Sequence, residues 1–130
     1  MAKKIISNLI LFVLCGFIYN IIEILWRGYT HWSMFFLSGT CVVLINLFLL
    51  NFECRWPVFV RCMLGGIMIT ALEFITGCVV NIGLKMNVWD YSMVKFNILG
   101  QICPVNTCFW IILTLPILFF CDIVNKIMKI

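Results

Sequence analysis

Charge is what this chain has least of. Charged residues make up 11% of its 130 positions and apolar ones 65%, against about 25% and about 45–50% in soluble domains. Too few polar side chains remain to clothe a water-facing surface, so lipid must be the main solvent. The same scarcity sets aside nucleic-acid binding and disorder, which need basic or polar stretches. The single His31 cannot complete a zinc site of the Cys/His kind. Eight cysteines are present without a C-x-x-C pair, and most (Cys15, Cys41, Cys62, Cys78, Cys108, Cys121) lie in apolar stretches. They read as small packing residues rather than a disulfide framework. The sequence also lacks an H-E-x-x-H motif, a Ser/His/Asp arrangement and a G-x-x-x-x-G-K-[ST] loop. We therefore expect no enzyme activity, no cofactor and no metal. Nor does a small-residue cleavage site follow Lys3-Lys4, since the apolar run continues to Trp26.

What is present is long apolar runs. A bilayer-spanning helix needs ~20 such residues, and four runs qualify, at about 5–26, 32–52, 57–82 and 101–124. The expected fold is all-α: a polytopic membrane protein, a four-helix bundle in one integral membrane domain. Arg27 to His31 is a short polar turn, and Glu53-Cys54-Arg55-Trp56-Pro57 breaks the pattern before the third span. Pro57 suits the first turn of a helix, where a missing N–H costs nothing. Pro116 is expected to kink the last span. Gly83 to Gly100 is the longest connection.

Four crossings put both termini and the central turn on one side. That side carries Lys3, Lys4, Arg55, Arg61, Lys126 and Lys129, and the other only Arg27, Lys85 and Lys95. The positive-inside rule then favours cytoplasmic termini in a multi-pass protein of the cell membrane, with dual topology in an antiparallel dimer as the alternative. Trp26, Tyr29, Trp32, Trp89 and Tyr91 would form an aromatic belt at the outer interface, with their polar tips wet.

The first and third spans share Gly-x-x-x-[Asn/Thr]-x-x-Glu, as Gly16/Asn20/Glu23 and Gly66/Thr70/Glu73. With the weaker likeness of Phe35–Cys41 to Phe96–Cys103, this suggests a two-plus-two internal repeat, an arrangement in which sites form between repeats. Gly16, Asn20, Glu23 and Arg27 share one helix face, as do Gly66, Thr70, Glu73, Gly77 and Asn81. Gly16, Gly66 and Gly77 would allow close helix approach, with the second stripe expected against the first span. An ionised carboxylate in hydrocarbon costs at least ~2.5–3.5 kcal/mol, so Glu73 should face the interior. It lies ~24 Å beyond Pro57 at 1.5 Å per residue, in the outer half. Glu23 and Arg27 form an i, i+4 pair. For Glu73 a structural role, bonded to Asn20, Thr76 or Gln101, and a ligand, ion or proton site both stay open.

Trp89-Asp90-Tyr91-Ser92, with Asn97-Ile-Leu-Gly100-Gln-Ile-Cys103 after it and Leu72-Glu73-Phe-Ile-Thr76-Gly77-Cys78 before it, resembles the type IV ABC-transporter (CmpB-like) family of small membrane proteins. Arg27-Gly28-Tyr-Thr-His31-Trp32-Ser-Met34 is similar to its shorter branch. The likeness covers nearly the whole chain, although Ser33–Gly39 lacks the proline-containing segment of some members. It implies a permease. Read physically, Asp90 and Ser92 suit a turn or cap, and a connection this long is expected to fold over something.

The expected function is transport or permeation of an unknown ion, lipid or small solute, alone or as a homo-oligomer. Asn20, Glu23, Arg27, Thr70, Glu73, Asn81, Asp90, Asn97 and Gln101 would line one polar chamber, closed by Trp89–Cys103. The competing reading is a non-catalytic structural, partner, immunity or pore-forming subunit. The expected partners are the lipid bilayer and no nucleic acid.

Overall fold

The structure is a computed structural model that describes residues 2–50 and 56–129. It is all-helical. Helix α1 runs Ala2–Arg27, α2 Trp32–Ile45, α3 Val58–Gly77 and α4 Pro104–Ile127. Wider π turns extend α2 over Asn46–Leu50 and α3 over Cys78–Gly83, so four helices are long and apolar enough to cross a bilayer. The protein is a multi-pass membrane protein. The expected end of the second span at Phe52, and Glu53, Cys54 and Arg55 of the central turn, lie outside the described residues.

Local chemistry sets the helix ends. α1 closes on Gly28, whose φ of 84° is the left-handed conformation of a helix-ending glycine; its N–H bonds the Ile24 carbonyl at 2.8 Å. Arg27 sits in the last turn, beside the negative end of the helix dipole. His31 caps α2, its Nδ1 accepting the Ser33 backbone N–H at 3.2 Å. Pro57 is the N-cap of α3, one place outside the turn expected. Pro104 takes the first position of α4, where its missing donor is harmless. The helix continues through Pro116.

The chain divides into two compact units, 1–55 with 116–130, and 56–115. In the first, Leu11, Val42, Cys121 and Val124 form a buried cluster edged by Ile10, Cys15, Leu50 and Phe120. Its α1–α2 seam is aromatic: Phe35 stands edge-on to Phe12 at 5.7 Å and to Phe17 at 5.0 Å. Gly16 admits Phe35, since a Cβ there would lie 2.6 Å from the ring.

In the second unit α3 packs on the first half of α4. A Cβ on Gly66 would strike the Ile111 side chain and lie 2.9 Å from its backbone nitrogen. Thr70 and Thr107 share a hydroxyl hydrogen bond of 3.0 Å. Gly77 lies against Gln101 and Trp89. The stripe expected to face the first span thus meets α4 and the connection before it. Spacing fixes a face, and several elements can cover that face.

Because Gly66 meets backbone that cannot yield, Gly66→Leu should lower the melting temperature in detergent, at a cost of about 1–3 kcal/mol. Ile75, 59% exposed, should accept Trp with little change. Equal melting of the two variants would contradict this packing.

Candidate functional site

Glu73 is the exceptional polar group. It lies in the apolar body of α3 with only 3% of its surface exposed, and its Oε1 has no hydrogen-bond partner. The polar group facing the carboxyl is the Trp110 indole N–H of α4. Among the described residues no basic side chain forms an ion pair with it. One turn before stand the paired hydroxyls of Thr70 and Thr107, and one turn after is Gly77. Of the partners expected for Glu73, Asn20, Thr76 and Gln101, none bonds it; the polar group it faces is on Trp110 instead. Tryptophan is apolar enough to disappear into a hydrophobic run, so nothing in the sequence singled it out.

The connection closes over the next turn of α3. Asn81 Nδ2 donates to Gln101 Oε1 at 2.8 Å, and Asn81 Oδ1 accepts the Val88 N–H at 2.6 Å. Gln101 Nε2 donates to the Leu99 carbonyl at 3.0 Å. Trp89 is buried and donates its indole N–H to the Gln101 carbonyl at 3.0 Å. This corrects the aromatic belt. Trp89 is a packed, internally bonded side chain with no wet tip, because the segment folds inward at that point. Trp26, Tyr29 and Trp32 are exposed as expected. Tyr91 is half-buried, its hydroxyl accepting from Asn106 Nδ2.

Asp90 and Asn97 serve the connection itself. Asp90 Oδ1 accepts the Ser92 N–H at 2.9 Å, the turn its position suggested, and hydrogen bonds from Ser92 hold its carboxyl below the usual carboxylate range. Asn97 donates to the Ser92 and Val94 carbonyls and accepts the Gly100 N–H.

The first unit gathers Asn20, Glu23 and Arg27 as their spacing implied. Glu23 Oε1 lies 3.9 Å from Arg27 Nη2 and accepts from the Thr30 hydroxyl at 2.9 Å, which also lies 3.2 Å from Asn20 Oδ1. Arg27 in turn stacks over the Tyr29 ring at 4.5 Å. Glu23 is thus neutralised and bonded, whereas Glu73 is neither. The two carboxylates fall in different units, each with its own partners.

The first unit also contains a buried amide chain that the sequence did not reveal. Ser7 Oγ donates to Asn125 Oδ1 at 3.0 Å, Asn125 Nδ2 to Asn46 Oδ1 at 2.8 Å, and Asn46 Nδ2 to Asn8 Oδ1 at 2.8 Å. It ties α1, the π turn after α2, and the end of α4. In sequence these residues are isolated interruptions, and their pairings span up to 118 positions. Their one signal is that an amide in hydrocarbon must find a partner.

Asn46→Ala removes the middle link and strands an amide on each side. It should cost about 1–2 kcal/mol, more than Asn8→Ala at the chain's end. Denaturation in mixed detergent compares them, and equal loss would mean the chain carries no cooperative weight.

No curated protein and no solved structure matches the chain. A family model covers residues 10–130, nearly all of it. The chain belongs to the family described as "Putative ABC-transporter type IV".

Proposed function

We propose that the protein is a permease-like membrane component in which Glu73 is the group that takes up and releases a proton or small cation. The observation that carries this is the free Oε1 of a carboxyl that is 3% exposed one turn before the end of α3. A carboxylate in hydrocarbon is stable only when its charge is neutralised or paired. The Trp110 indole N–H faces the carboxyl, and Oε1 stays open as an acceptor. Thr70, Thr107, Asn81 and Gln101 are the nearby hydroxyls and amides that would relay or ligate the occupant. The family's transport description agrees with this role.

In this reading the protein is not an enzyme: His31 is engaged as a helix cap and Asp90 as a turn. Both termini face the cytoplasm, on the side richer in Lys and Arg. The protein works in the cell membrane as a homo-oligomer. The competing reading is a structural or partner subunit, favoured by the paired Glu23 carboxylate and by the amide chain, which act as helix glue.

Purified protein in liposomes separates these readings. Proton, sodium and potassium flux are read with trapped dyes, and the melting temperature is taken alongside. Glu73→Gln keeps the shape and the Trp110 acceptor while removing the charge, so it should abolish flux and leave melting within a few degrees. Wild-type protein silent to all three ions, or a Gln variant that conducts like wild type, would overturn the proposal.

A further inference from the structure

The connection between α3 and α4 is inverted for a loop in water. Its inner side holds the polar latch of Asn81 and Gln101, whereas the exposed face of its Met93–Leu99 tip is largely apolar. Met93 is 96% exposed, Phe96 84% and Leu99 66%, with Ile98 beside them. A water-facing loop of this length would show polar side chains there instead. Part of the backbone, by contrast, is bonded within the connection. Tyr91 N–H bonds the Gly100 carbonyl at 2.7 Å, Val94 N–H the Tyr91 carbonyl at 2.9 Å, and Ile98 N–H the Ile102 carbonyl at 3.0 Å. Asp90 and Asn97 take up the Ser92 and Gly100 N–H groups. Each such bond lowers the cost of bringing backbone polar groups to the interface, where the remaining N–H groups meet water or headgroups.

The conformation also has a cost. Phe96 and Leu99 hold φ of 60° and 53°, a region that bulky side chains rarely adopt. Strain of this kind persists only where the surroundings demand it, and here both strained residues turn a large apolar side chain outward. Lys95 is exposed just before Phe96, and Asp90, the acid of this connection, is committed to the Ser92 turn. The tip is therefore apolar with a free cation, which complements an acyl surface under anionic headgroups. It is also continuous with two helices that cross the membrane.

We propose that the Met93–Leu99 tip seats in the interfacial zone of the bilayer, with Met93, Phe96 and Leu99 among the upper acyl carbons and Lys95 against lipid phosphate. The surface does not depend on Glu73 being a transport site. The connection is then a two-faced element, lipid on one side and the α3 latch on the other.

A nitroxide on Met93→Cys in the full chain tests this, with the signal of the labelled parent protein subtracted. Collision with oxygen, which partitions into lipid, is compared with collision with a water-soluble nickel chelate. Vesicles are phosphatidylcholine alone or mixed with phosphatidylglycerol. Oxygen should dominate in both, and the label should lie deeper in the anionic vesicles, about 5–10 Å into the interface. Lys95→Glu should remove the anionic increment. The same comparison on Phe96→Cys guards against a local effect of one label. Nickel-dominated collision would place the tip in water, and protection from both reagents would mean that a second copy or another protein covers it. Either result overturns the proposal, and equal depth in the two vesicles overturns the role of Lys95.

Discussion

In hydrocarbon no water is available to complete a hydrogen bond, so every polar atom must find its partner inside the protein or neutralise. That constraint organises both units. It explains why Ser7, Asn8, Asn46 and Asn125 converge from three helices into one chain. It explains why Thr70 meets Thr107, and why the long connection folds inward to give Asn81 two partners. The π turn at Asn46 and the one containing Asn81 each bring an amide to such a network. Insertions of this kind recur where a helix must re-aim a side chain.

Against that background Glu73 is informative, its Oε1 being the one carboxyl oxygen among the described residues that is buried without a bond. Glu23 and Glu73 end the same seven-residue spacing, and they meet opposite surroundings. Glu23 lies one helical turn from Arg27, with Thr30 closing the site from the turn. Glu73 sits deeper in its helix, faces an indole, and keeps one oxygen without a bond. Glue requires full satisfaction of each atom. A buried acceptor left open costs free energy that a purely structural carboxyl would have no reason to bear, and it is at such positions that an exchangeable proton or ion is held.

The fold was largely legible in the sequence. Long apolar runs indicated an all-helical chain with four helices able to cross a bilayer, and that is the architecture found. The small-and-polar stripe of Gly66, Thr70, Glu73 and Gly77 identified the inward face of α3, because three- and four-residue steps are helix geometry. What the face meets was not legible. Periodicity is local, whereas the choice between α1 and α4 depends on how whole helices pack. Trp110, Thr107 and Thr30 escaped notice for the same reason: each meets a partner distant in sequence or hidden in a turn. Trp89 was misplaced because tryptophan serves equally as an interfacial anchor and as a core residue, and its indole N–H decides which only once the segment has folded.

The central claim is that the Glu73 carboxyl exchanges its occupant with the water phases. Difference infrared spectroscopy of bilayer-reconstituted protein, taken between acid and alkaline buffer, observes that group directly. The account predicts a protonated-carboxyl carbonyl band that changes with pH or with added sodium, shifts in heavy water, and is missing from Glu73→Gln. Identical difference spectra for the wild type and the Gln variant would contradict it, leaving Glu73 a sealed structural residue.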